Sequence, residues 1–272
     1  MSSKKYGKLF LLLFFLIGSL MACDVLPPTG LDSTSTATPS NPGTPPLNQW
    51  IQAKPGVDLR YEDWKSPSNN EDVVTIVRFD IHRIHLKVAY QATHPMSMHD
   101  WMQQEQATAI INGGYFDQQD NATGLVISNG QVSGTSYDGF GGMLSVDSKG
   151  AIKLRSLRNQ PYDPGNEQLQ QATQSSPMLI VAGKRTQFDA NAVNQRRSIV
   201  ATDKQGRLLF IASPGQAFSL DELADILVAS DLSIETALNL DGGASTGLYM
   251  NAGSQHISID SFSPLPIVIV VK

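Results

Sequence analysis

Short apolar runs separated by turn residues recur along the chain, and most of them predict strands. Residues 73–81 and 83–90 are rich in Val, Ile and aromatic residues with polar residues interleaved. Residues 107–111 form a short apolar run that leads into Asn-Gly-Gly-Tyr-Phe-Asp, Asn112 to Asp117. Residues 124–128 and 131–133 flank Asn129-Gly130, a dipeptide suited to a tight hairpin turn. Two more pairs, 143–146 with 151–154 and 198–202 with 208–212, flank turns that end in Gly150 and Gly206. Residues 178–181 turn at Ala182-Gly183, and residues 265–271 are almost wholly apolar, as in a buried last strand. Two segments carry helical signals. Ser97 can cap a short helix over 97–106. Ser219 to Glu222 is a capping box, and Leu220, Leu223, Ala224, Leu227 and Val228 then fall on one stripe. The pattern predicts an α+β fold: a mixed, largely antiparallel sheet built from hairpins, with two or three packed helices.

The N-terminus reads differently. Lys4, Lys5 and Lys8 precede a 14-residue apolar run, Leu9 to Ala22. That run is shorter than the roughly 20 residues a spanning helix needs, so residues 1–22 predict an export signal. Leu20-Met21-Ala22-Cys23 resembles the lipobox of bacterial lipoproteins, and Cys23 is the sole cysteine. A lipid on Cys23 would anchor an exported body to the membrane; the alternative is an ordinary signal that leaves a stray thiol. Residues 27–46 contain six prolines and eight Ser or Thr in 20 residues. Such a stretch buries little, so residues 23–48 predict an extended tether and 49–272 a folded domain. Loss of three lysines with the signal takes the formal charge from −5 to −8. An acidic body without a basic run argues against nucleic acid as a partner.

The candidate chemistry gathers at two strand ends. Asn239 lies in the short strand at 238–240, and Asp241, Gly242, Gly243, Ser245 and Thr246 follow it. Asn112, Gly113, Gly114, Tyr115 and Asp117 follow the run at 107–111. Paired glycines let a backbone turn sharply or approach a ligand. A purely structural reading fits as well, with Asp117 and Asp241 bonded to their local backbones. Arg196-Arg197 precedes the strand at 198–202, so alternation turns one inward and one outward. An inward arginine needs an anion, either an aspartate of the chain or a bound phosphate.

These motifs, N-G-G-Y-F-D, G-L-V-I-S-N-G, S-P-M-L-I-V-A-G-K, R-S-I-V-A-T-D-K-Q-G-R and N-L-D-G-G-A-S-T, occur in this order. Together they resemble the phosphodiester glycosidase family, over roughly residues 73–272. The family usually has glycine where this chain has Ala244. The resemblance implies a phosphate-linked sugar or glycan as substrate and hydrolysis at the anomeric carbon. Glycoside hydrolysis commonly uses two carboxylates flanking the bond. On that reading Asp241 and Asp117 are catalytic and Arg197 binds the leaving phosphodiester. Asn112 and Asn239 hold sugar hydroxyls, Tyr115 meets the ring, and Ser245, Thr246 and the amides of Gly242 and Gly243 bind phosphate. No cofactor is expected. No spacing requires a metal, although Asp117 and Asp241 are compatible with calcium or magnesium. The competing reading is a membrane-tethered glycan-binding module with the same pocket and no turnover.

Overall fold

The computed structural model describes residues 46–189 and 192–272. The signal segment, Cys23 and nearly all of the tether lie outside the described residues. Residues Pro45–Lys272 form one compact unit.

Three antiparallel sheets make up that unit. The largest takes its eight strands in the order Ile51–Lys54, Val57–Lys65, Glu71–Phe79, Leu208–Phe218, Gln195–Asp203, Ile234–Asn239, Met178–Val181 and Lys184–Arg185. A five-stranded sheet runs Gln255–Ile259, Leu248–Ala252, Ala109–Asn112, Ile267–Val271 and Leu86–Tyr90. A second five-stranded sheet runs Gln131–Ser133, Val126–Ser128, Leu169–Ser175, Gly142–Asp147 and Ile152–Ser156. Helix α1 is Met98–Glu105 and helix α2 is Leu220–Ala229.

The expected α+β class needs correction. The described residues hold eighteen strands but only two α-helices, so the fold is mostly β, and every ladder between named strands is antiparallel. The physical reason lies in strands that mix buried and polar residues: the sequence pattern gives no strand at Val57–Lys65, Leu169–Ser175 or Gln255–Ile259, so the β share exceeds the expected one. Apolar runs such as Val268–Val271 are buried on both faces. Val200, Phe210 and Leu238 of the large sheet share one core with Ile111, Leu248 and Ile269 of the first five-stranded sheet. On the far side of the large sheet, Ile199, Ala201, Leu209 and Ile211 pack under Leu220, Leu223, Ala224 and Leu227 of α2. On the far side of the five-stranded sheet, Ile110, Val268 and Val270 pack under Met98 and Trp101 of α1. Adjacent residues Ile110 and Ile111 therefore serve two cores. Each fully buried side chain of this size contributes about 1.5–3 kcal/mol.

Local signals set the ends of these elements. Ser97 accepts from the Asp100 amide and caps α1, and Ser219 with Glu222 closes the capping box of α2. Val228, expected on the apolar stripe, is 49 % exposed, and Leu220, Leu223, Ala224 and Leu227 alone make the buried face of α2. Asn129 and Gly130 both take positive φ, 51° and 77°, as the hairpin turn requires.

Candidate active site

The two motifs that stood apart in the sequence meet in space. Strand Ala109–Asn112 ends at the edge of its core beside the end of Ile234–Asn239. The Asp241 amide donates to Gly113 O at 3.1 Å. Asn112 Nδ2 donates to Asp241 O at 2.7 Å, and Asn112 Oδ1 accepts from the Gly247 amide at 3.2 Å. Asn112 thus clamps the turn that carries Asp241 to the neighbouring strand.

Asp241 is partly buried. Its Oδ1 accepts from the Gly242 amide at 2.9 Å, and the Ser245 hydroxyl also bonds the carboxylate. Burial raises its pKa above the ordinary aspartate value despite those two bonds. Tyr115 stands beside it. The phenol donates to Ser176 O at 2.9 Å and accepts from Asn239 Nδ2 at 2.9 Å. Burial first, and then the Asp241 carboxylate, push the phenol up to about 12, while Arg197 pulls the other way. Tyr115 is therefore neutral and within electrostatic reach of both charges.

Arg197 is 4 % exposed. Its Nε donates to Phe218 O at 3.2 Å and one Nη to Val193 O at 2.6 Å. Its other Nη lies along the glycine turn, since a Cβ on Gly242 would sit 3.8 Å from it. Among the described residues no carboxylate lies within ion-pair distance of Arg197. Burial lowers its pKa, with the Tyr115 oxygen acting against that. A guanidinium held by carbonyls, rather than neutralised by a carboxylate, retains its charge for an anion.

Several expected roles change. Both arginines of the pair are buried, so the one-in, one-out expectation fails. Alternation does separate them, but Arg196 is covered too, with its guanidinium 4.0 Å from the Phe262 ring and bonded to Pro214 O and Asp260 O. Asp117 is exposed, and its carboxylate is spent on the Asn121 and Gln119 amides and the Asn121 side chain. Those bonds, led by the Asn121 amide, lower its pKa, as in an Asx turn. Asn239 and Thr246 are fully buried and Asn112 nearly so; Asn112 is spent on the backbone of the turn, while Asn239 Oδ1 and Thr246 Oγ1 have no hydrogen-bond partner among the described residues. Gly113 and Gly114 approach protein, not ligand: a Cβ would fall 2.3 Å from the Ile267 side chain and 2.0 Å from Gln174 O, respectively. Gly243, at φ 60°, makes the turn after Asp241. Ala244 is exposed and its carbonyl accepts from the Phe262 amide.

Tyr115 and Ser176 also border a cleft of about 870 Å³ that the sequence did not reveal. Phe140, Arg158, Asn159, Phe188 and Asp189 line it. The one available signal was the glycine-rich stretch Tyr137 to Gly142, with its two aromatic residues.

A family model described as phosphodiester glycosidase matches residues 105–272. The chain belongs to the phosphodiester glycosidase family. The matched span holds the whole site, from Asn112 to Thr246. One curated relative, the uncharacterized protein YigE of Escherichia coli, is 29 % identical over 164 residues, which is 56 % of this chain. The match spans 61 % of that relative's length. Among solved structures, the zebrafish N-acetylglucosamine-1-phosphodiester alpha-N-acetylglucosaminidase catalytic domain, auto-inhibited by its pro-peptide, superposes with TM-score 0.62 at 18 % identity. That similarity covers 79 % of this chain and 82 % of that one. A hypothetical protein from Synechocystis superposes with TM-score 0.58 at 17 % identity, over 84 % of this chain and 64 % of that one. At such identities the two structures speak for the phosphodiester glycosidase fold.

Proposed function

We propose that this protein is an extracytoplasmic hydrolase that cleaves a sugar from a sugar-1-phosphodiester or a related cell-envelope glycan. One observation carries the reading: Arg197, a buried guanidinium without a carboxylate partner among the described residues, and Asp241, a burial-raised carboxylate, both act on Tyr115. Arg197 suits a phosphodiester, whose negative charge persists as the bond to the anomeric carbon breaks. A phosphodiester leaves more easily than an alcohol. The site then needs no strong general acid, which agrees with Asp117 lying in a surface turn. Asp241 acts at the sugar, as base toward water or as nucleophile at the anomeric carbon. Tyr115, neutral and fixed by Ser176 and Asn239, orients the ring. The predicted export signal and Cys23 support a body held outside the cytoplasm by an N-terminal lipid.

The displacement of Asp117 also favours a second reading, a glycan-binding module without turnover, because only one of the two expected carboxylates stands at the site. The zebrafish enzyme's name selects the first compounds to try. The protein is incubated with UDP-N-acetylglucosamine and with an N-acetylglucosamine 1-phosphate methyl diester, and free sugar is followed by mass spectrometry. Release of sugar is expected. No release, with a thermal shift on adding the same compounds, would replace the hydrolase reading with the binding module.

A further inference from the structure

We infer that Arg196 is a positioning residue for the reaction: through the segment 260–262 it holds the turn that presents Asp241, a role that rests on the hydrolase reading above. The turn has little strength of its own. It is a single turn of 3-10 helix, Gly243–Ser245, closed by Ser245 N–H to Gly242 O at 3.1 Å and Thr246 N–H to Gly243 O at 3.3 Å. Short turns of this kind have poor hydrogen-bond geometry, so their place is set from outside. Asn112 supports the inner side. On the outer side the Phe262 amide donates to Ala244 O at 2.7 Å.

The segment that carries Phe262 needs support in turn. It joins strand Gln255–Ile259 to strand Ile267–Val271, and none of residues 260–264 is buried. A stretch with few buried contacts opens easily unless polar links hold it. Arg196 supplies two links. One Nη donates to Asp260 O at 2.8 Å, and the guanidinium lies 4.0 Å from the Phe262 ring. Its Nε donates to Pro214 O at 3.0 Å, which fastens the fork to strand Leu208–Phe218. The Tyr249 hydroxyl bonds the Asp260 carboxylate as a further tie. The Arg196 backbone also meets the turn, since a Cβ on Gly242 would fall 3.0 Å from Arg196 O. One residue thus supports the turn of Asp241 while its neighbour in the chain is Arg197.

A direct contact with the phosphodiester does not fit. Arg196 is 5 % exposed, and its second Nη is buried without a partner among the described residues. An anion arriving from solvent cannot reach it. Its planar fork bonds two carbonyls while its face meets a ring, and the ammonium of lysine has no such plane.

The test compares wild type, Arg196→Lys and Arg196→Met on the methyl diester. Arg197 still binds the phosphodiester, so KM should stay within about twofold. Misplacing a reacting group by about 1 Å costs roughly a hundredfold in rate, so kcat should fall by about tenfold to a hundredfold in Arg196→Met, and less in Arg196→Lys. A loosened turn also admits water to Asp241, so the acid limb of kcat should move to lower pH. Lost stability alone removes active protein and leaves that limb in place. Phe262→Ala added to Arg196→Met should cost little beyond Arg196→Met, because both act through one segment. A raised KM with unchanged kcat, an unmoved acid limb, or effects that multiply independently would overturn the role. Should Arg196→Met fail to fold, Arg196→Lys carries the same comparison. If the wild type releases no sugar, the hydrolase reading has failed, and the positioning is judged by NMR titration of the Asp241 carboxyl. A pKa lowered in Arg196→Lys upholds it, and an unchanged titration overturns it.

Discussion

Replacing Asn112 with alanine tests how the site is held in place. The side chain is 1 % exposed and joins two backbone groups, Asp241 C=O at 2.7 Å and Gly247 N–H at 3.2 Å. Alanine removes both bonds and strands both backbone groups. A net hydrogen bond is worth about 1 kcal/mol, and a stranded buried partner adds to that, so the loss should total about 3 kcal/mol. For a domain of this size each kcal/mol shifts Tm by roughly 2–4 °C, so Tm should fall by roughly 6–12 °C. Asn112→Asp is nearly isosteric but points an acceptor at the Asp241 carbonyl, and it should be no better than alanine. Chemical denaturation of the three proteins measures this directly. A loss below about 1 kcal/mol for alanine, or wild-type stability for aspartate, would refute the clamp.

Three further outcomes are expected. Asp117→Asn should keep most of the turnover, because its carboxylate serves only a surface turn; loss of turnover with an unchanged Tm would restore it as a catalytic group. Gly114→Ala should lose about 3 kcal/mol or fail to fold, because its Cβ would stand 2.0 Å from Gln174 O, a backbone atom with little freedom to move; near-native stability by urea denaturation would contradict that contact. Asp241→Asn should raise Tm at neutral pH. The folded pKa of Asp241 lies above its unfolded value, so the folded state binds more protons between the two, and stability falls as pH rises through that window. The gain should therefore vanish below about pH 3, where the carboxyl is protonated in both states, and a gain that persists there would contradict the raised pKa.

Turns and caps were the most legible parts of the chain. Asn129-Gly130, Ala182-Gly183, Ser97 and the Ser219–Glu222 box each do what local chemistry requires. Strand Leu169–Ser175 was not legible, because Leu-Gln-Gln-Ala-Thr-Gln-Ser looks like a loop. Its buried glutamines earn their place by bonding to backbone: Gln171 accepts from the Val88 amide and Gln174 from the Tyr137 amide. The β content was underestimated because strands such as Leu169–Ser175 and Val57–Lys65 carry many polar residues and too few apolar ones to mark them. At the site, the paired Asn and Gly-Gly motifs marked both strand ends, and the structure brings them together. They could not show which polar groups face a ligand. An aspartate beside a glycine pair reads the same in sequence as a catalytic carboxylate or an Asx-turn residue; the fold partly buries Asp241 and leaves Asp117 in an exposed Asx turn.

The most direct test of the account is sugar release from the methyl diester by wild-type and Asp241→Asn protein, with Tm measured on the same samples. Abolished release from a folded Asp241→Asn variant is the predicted result. Full activity in that variant would contradict the central claim that Asp241 acts at the sugar.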